Sequence, residues 1–279
     1  MVQFSRKNFE AAQTYYGTPG WNCYWSEVNG NATANWEDAA LDSNGIAQAL
    51  VAHKFWQHEI DVQKIPTPQS YYTSPLTRCL ATANLTYTGL TGLGRPFIPT
   101  VKEYLREGIS IHTCDHRSNK TYIKNAFPSY VIEDDFQEYD ILWNGVTSET
   151  SSAQNVRSLT VLDDIFLSDP STYISITTHS GEGASLLQVL GHIPFSLNTG
   201  AIIPVLVKAE SSTIYASPTP TTTPAWTYSA HCTAPPLSTD SAGNCVCVSA
   251  TPVTTPLVND VYPASTTQYH LSAYTEGPM

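Results

Sequence analysis

At 279 residues the chain has room for one medium α/β domain with a sizeable core and an appendage. Its 13 Lys+Arg against 24 Asp+Glu give a formal net charge of −11. That argues against nucleic acid or an anionic membrane as main partner, since both need a basic face, but leaves room for a small basic pocket that takes one phosphate. No apolar run is long enough to span a bilayer.

The first residues, Met1–Lys7, lack the apolar centre of a signal peptide, so the chain as written reads as cytoplasmic, with secretion open if its start is incomplete. Residues 11–36, rich in Tyr, Trp, Gly and Asn, read as an ordered loop with large aromatic anchors. Helical spacing follows at Ile46, Ala47, Leu50, Val51 and Phe55, with Asp42 or Ser43 as N-cap and Pro66 and Pro68 closing the region. Ser70–Thr73 is a short strand, and Ser74-Pro75 opens a helix running to about Tyr87. Phe97–Val101 is another short apolar stretch. Residues 117–147, polar and aromatic, resemble an insertion above a sheet.

The remaining pattern is a helix over about 152–167, a strand at 173–178, a helix over about 182–191 and a strand at 201–208. Beyond Glu210 the composition changes. Residues 217–257 are dominated by Pro, Thr, Ser and Ala, which bury too little apolar area to offset chain entropy. The expected organisation is a domain over 1–212 and a largely irregular tail over 213–279, which Cys232, Cys245 and Cys247 are able to pin in part. Cys23, Cys79 and Cys114 lie in the domain. Three sequons, at Asn31, Asn84 and Asn119, matter only in a secreted protein. The compartment stays open.

Four groups carry possible chemistry. Arg78, in Ser74-Pro75-Leu76-Thr77-Arg78, sits one turn into a helix after a strand, where a guanidinium binds phosphate bidentately; the bland alternative is a surface ion pair. Glu107, in Leu105-Arg106-Glu107-Gly108, is placed at the same sheet edge as a general acid, with Glu103 as local rival; either alone reads more simply as a solvated charge. His112, Cys114 and His116 alternate, which on a strand would put three metal ligands on one face. No second Cys/His pair completes a zinc site, so metal is the minority reading. His179-Ser180-Gly181 is the strongest group. It follows a β-branched run and opens a helix, the position at which open α/β sheets bind anionic ligands.

Taken in order, Leu41–Ala49, Ser74–Cys79, Leu105–Glu107 and Thr178–Gly181 resemble the histidine phosphatase superfamily. The blocks Tyr16–Trp25 and Gly108–Ser118 narrow the match to its fungal phosphoglycerate-mutase-like branch; the resemblance covers about residues 11–210. It implies a three-layer α/β/α sandwich with a mostly parallel sheet. It implies hydrolysis of a small phosphorylated metabolite, a phosphate monoester, through a phosphohistidine, with no metal or cofactor. Arg78, His179, Ser180 and Gly181 would bind the phosphate, His179 would stabilise the charged transition state with Arg78, and Glu107 would donate the proton.

The family's attacking histidine lies in an Arg-His-Gly motif at the end of a first strand. Counted back without gaps, that motif falls on Gln3-Phe4-Ser5, and no histidine precedes His53. The first strand and the nucleophile are therefore expected to be missing. Either the native enzyme is longer, or the chain is a pseudoenzyme that binds phosphate or acts as a scaffold without turnover.

Overall fold

Residues 8–193, 197–210, 224–249 and 252–258 are described by the structure, a computed structural model. The positions aligned with Arg-His-Gly and the expected domain boundary at 212 lie outside them.

The aromatic segment is a helix, α1 (Asn8–Cys23), where an ordered loop was expected. Gly17, at φ 75°, divides it into two helical stretches. Pro19 then stands in the first turn of the second stretch, where its missing N–H breaks no bond. The anchors are as expected: Trp21 and Trp36 are buried, and Tyr16 stacks on Trp25 with centroids 4.1 Å apart. Helix α2 (Ser43–His58) starts where Asp42 accepts the Gly45 N–H at 2.7 Å. It ends in a single wide turn, Glu59–Gln63, closed by left-handed Lys64 before the prolines.

Strand β1 (Ser70–Thr73) leads into α3 (Thr77–Tyr87). Then come β2 (Thr100–Val101), α4 (Lys120–Ala126), β3 (Val131–Ile132) and β4 (Thr147–Glu149). Helix α5 (Ser151–Ser168), capped by Thr150, precedes β5 (Ile174–Thr177) and α6 (Ser180–Val189). The central sheet has the order β3-β2-β1-β5 and is parallel throughout.

Alternation along β1 fixes the layers. Tyr71 packs with Trp56 and Tyr87 from α2 and α3, whereas Tyr72 packs with Leu162, Ile165 and Leu186 from α5 and α6. Both faces of the sheet are thus covered by helices, giving the α/β/α arrangement. The 117–147 segment does not simply lie above the sheet: it supplies α4 and adds β3 to the sheet edge beside β2.

No strand forms at 201–208. Pro204 interrupts that apolar run and has no N–H for a ladder, and Leu206 stands fully exposed. The described part of the tail, residues 224–249 and 252–258, is by contrast tied down. Strand β6 (Trp226–Tyr228) pairs antiparallel with β4, and β7 (Ser238–Thr239) pairs with β8 (Cys245–Val246). Disulfides join Cys23 to Cys245 and Cys232 to Cys247, and the Cys232 N–H donates to the Cys23 carbonyl at 2.8 Å. Covalent links and edge pairing hold a segment whose apolar content alone would not.

Candidate active site

The carboxyl ends of β1 and β5 bring Arg78 and His179 together across 101 positions of sequence. Thr73 ends β1, and Ser74-Pro75-Leu76 turn the chain into α3 so that Arg78 lies in its first turn, buried. That turn is braced by Asp38, which accepts the Thr77 N–H at 2.9 Å, the Thr77 hydroxyl at 2.6 Å and the Ser118 N–H at 3.0 Å. These three bonds hold Asp38 at φ 40°, a left-handed conformation unusual outside glycine.

His179 stands one residue beyond β5, after Thr178, and is the N-cap residue of α6. Arg78 Nε donates to His179 Nδ1 at 3.3 Å, and His179 Nε2 lies 2.7 Å from Ser74 Oγ. The arginine has only donors, so Nδ1 accepts and the imidazole is assigned as the Nε2–H tautomer, donating to Ser74. The rest of the Arg78 guanidinium is occupied as well. Nη1 donates to the Cys114 carbonyl, Nη2 pairs with Asp115 at 3.2 Å, and the Phe9 ring lies over it with its centroid 5.7 Å from Cζ. Burial is the largest single influence and works against the Arg78 charge, but Asp115 together with Cys114, Cys79 and Glu107 holds the pKa above the ordinary arginine value.

Glu107 reaches the same edge. Its carboxylate accepts the Gly181 N–H at 3.3 Å, the Glu182 N–H at 3.0 Å and the Gly108 N–H at 3.0 Å. The N–H groups of α6's first turn, expected to face a phosphate beside Ser180 and Gly181, are thus engaged in part by a side-chain carboxylate, itself an anion at a helix N-terminus. Arg157 fixes the backbone below, donating to the carbonyls of Tyr104, Arg106 and Glu107 while pairing with Glu149 at 2.8 Å and Glu182 at 3.2 Å. Burial pushes the Glu182 carboxyl up to about 7 against the pull of Arg157.

Glu103, the rival of Glu107, is a structural ion-pair residue: Arg106 holds one oxygen at 3.0 Å and Arg117 the other at 2.7 Å. The 112–116 segment is a helical turn over Thr113–Asp115 rather than a strand, so His112, Cys114 and His116 do not share a face. His116 bonds Glu37 at 2.8 Å and stacks on Trp143. Donor atoms of His112, Cys114 and Asp115 do lie within 4.8 Å of one another. Yet the Asp115 oxygens already serve the guanidinium of Arg78 and the hydroxyl of Ser110, so a cation here would have to compete with a buried guanidinium.

Asp115, Asp38 and Phe9 are the participants that sequence reasoning missed. Asp115 lies between Cys114 and His116 in the Gly108–Ser118 block, but nothing local marks it as the partner of an arginine 37 positions earlier. A cavity of about 1140 Å³ opens beside this cluster, lined among others by Tyr15, Tyr16, Glu37, Asp38, Thr77 and Arg117; Arg78, Glu107 and His179 do not line it.

The family model described as "Histidine phosphatase superfamily (branch 1)" matches residues 25–201, well over half of the chain. The chain belongs to the histidine phosphatase superfamily. It is 48% identical over 203 residues to "Probable phosphoglycerate mutase" of Arthroderma benhamiae, covering 72% of this chain and 60% of that protein. It is 37% identical over 201 residues to "Phosphomutase-like protein 3" of Candida albicans, covering 72% of this chain and 62% of that one. The chain therefore spans about three fifths of the length of the curated relatives it matches. Among solved structures, a phosphoglycerate mutase from Thermus thermophilus overlaps with a TM-score of 0.35 at 19% identity, over 71% of this chain and 87% of that one. In this superfamily member the fungal, phosphoglycerate-mutase-like character read from Tyr16–Trp25 and Gly108–Ser118 agrees with the relatives.

Proposed function

We propose that the Arg78–Glu107–His179 cluster is the phosphate-holding and proton-donating part of a phosphate-monoester hydrolase site, and that this 279-residue chain by itself binds phosphate without turning an ester over. The observation that carries the reading is the meeting of Arg78 and His179 at 3.3 Å on adjacent strand ends. Two nitrogen-rich side chains at the carboxyl edge of a parallel sheet suit the spread negative charge of a phosphoryl group. Glu107, within reach of the first turn of α6, is the acid that would protonate a leaving oxygen. The substrate class is a small phosphorylated metabolite.

The attacking histidine is assigned to no residue here. No Arg-His-Gly stands in the sequence, His112 packs edge-on against Trp21, and His116 is committed to Glu37 and Trp143. The lack of a placed nucleophile supports the binding-only reading; Asp115, paired with Arg78, and Phe9, over its guanidinium, compete with the phosphate and must yield when it enters. A p-nitrophenyl phosphate assay tests it. The chain is expected to release no p-nitrophenol above the uncatalysed rate, whereas turnover abolished by Glu107→Gln would show a complete site.

A further inference from the structure

Two sets of features lie apart from the phosphate cluster: the paired cysteines and the three Asn-X-Thr tripeptides. We infer that Asn31 carries an asparagine-linked oligosaccharide, added in the compartment where the two disulfides form.

Four of the six cysteines are joined in disulfides, and the other two, Cys79 and Cys114, are buried. Cys23–Cys245 joins residues 222 positions apart and clamps the C-terminal segment onto α1, while Cys232–Cys247 closes that segment on itself. Structural links of this kind persist where the redox poise is oxidising, chiefly in the secretory pathway and outside the cell. Oligosaccharide transfer to Asn-X-Thr belongs to the same pathway. The chemical context that gives a sequon meaning is therefore built into the fold.

Geometry selects among the three sites. Asn84 and its Thr86 lie within α3, with Thr86 fully buried. Asn119 caps α4, and its Thr121 lies inside that helix with its N–H given to Glu138 at 3.3 Å, so the sequon does not form the side-chain turn that joins Asn31 to Thr33. Asn31 sits instead in a tight turn bracketed by the bridge between Gly30 and Asn35, with Ala32, Thr33 and Ala34 exposed. A Cβ at Gly30 would overlap the Ala34 carbonyl, so the turn is closely defined. Asn31 Oδ1 accepts the Thr33 N–H at 2.9 Å, the Thr33 hydroxyl at 3.0 Å and the Ala34 N–H at 2.8 Å. Its Nδ2 donates one bond, to Tyr16 Oη at 2.7 Å. An amide nitrogen has two hydrogens, so one sugar can replace the second while the Tyr16 bond remains.

In the transfer, a bond forms between Nδ2 and the anomeric carbon of the first sugar. The bond from that carbon to the pyrophosphate of a lipid-linked donor breaks, and the pyrophosphate leaves with the electron pair while the displaced amide proton passes to base. The attached chain would stand at the rim of the 1140 Å³ cavity, beside the largely exposed Tyr15 ring.

The test is mass mapping of the protein purified from its source and digested without reduction, before and after treatment with a peptide N-glycosidase that converts glycosylated Asn to Asp. The expected result is a glycopeptide that reads Asp at position 31 after treatment, together with linked Cys23–Cys245 and Cys232–Cys247 peptides. Thr33→Ala should abolish the modification at Asn31 and leave both disulfides in place. An unmodified Asn31 in material that carries both disulfides overturns the glycan. Free thiols at Cys23 and Cys245 overturn the oxidising compartment, and sugar found solely at Asn84 or Asn119 overturns the choice of site.

Discussion

Gly181 makes room for Glu107: a Cβ at position 181 would overlap Glu107 Oε1 and crowd the rest of its carboxyl group. The carboxylate settles onto the N–H groups of α6's first turn because no side chain stands between them. Gly181→Ala should therefore displace Glu107 while the fold stands, because the atom in the way is the end of a flexible side chain. Losing this cap-like contact is expected to cost about 1 kcal/mol in urea unfolding. A midpoint raised by the helix propensity Ala gains over Gly, about 1 kcal/mol, would show that the contact contributes nothing.

Arg78→Met leaves Asp115 buried beside an apolar chain. Breaking one side of a buried pair is expected to cost about 3–5 kcal/mol, and the double variant Arg78→Met/Asp115→Asn should recover a good part of it. A double-mutant cycle in denaturant gives the coupling. Additive effects would mean that the 3.2 Å pair carries no weight.

Much of this site was legible in the sequence because its elements announce themselves locally. Asp42 as N-cap, Ser74-Pro75 before α3 and the β-branched run before His179 each use signals that span only a few residues. Arg78 and His179 could then be set at neighbouring strand ends. What stayed hidden depends on partners distant in sequence. Gly17, Pro19 and Gly20 masked α1, since a positive φ at Gly17 lets helix resume on the far side. Pro204 was visible as a strand breaker, but the apolar residues on either side of it point towards a strand. Which cysteines pair, and that Asp115 closes on Arg78, follow only from the assembled chain.

The long disulfide should be the stronger staple. Closing a loop of more than 200 residues removes more unfolded-chain entropy than closing a short one, about 5.4 kcal/mol against about 3 kcal/mol for a loop the size of Cys232–Cys247. Thermal unfolding of Cys23→Ser is expected to show the larger drop in Tm, and Cys247→Ser the smaller. The reverse order would place the stabilisation in the short loop.

Glu27 gives the stability a pH dependence. It lies buried with His231 Nδ1 2.7 Å away, out of line for a hydrogen bond, and burial pushes its carboxyl from 4.5 up to about 8. Between those values the folded state holds a proton that the unfolded state has released, so stability falls as pH rises. Burial lowers the His231 pKa, which acts in the opposite sense, but only below its unfolded value of 6.5. Glu182, raised to about 7, acts in the same sense up to that pH, so from about pH 7 to 8 Glu27 sets the sign, with a loss of up to about 1.4 kcal/mol per pH unit. Glu27→Gln should flatten that slope in urea titrations; an unaltered slope would assign it to another group.

The most direct measurement is calorimetric titration of inorganic phosphate into the wild-type chain, Asp115→Asn, and Asp115→Asn combined with Arg78→Gln or His179→Ala. If Asp115 occupies the guanidinium that otherwise holds phosphate, removing its charge should tighten binding about tenfold, the equivalent of about 1.4 kcal/mol. Either second substitution should then abolish it. Phosphate affinity unaffected by Asp115→Asn and insensitive to both Arg78 and His179 would contradict the assignment of this cluster as the phosphate site.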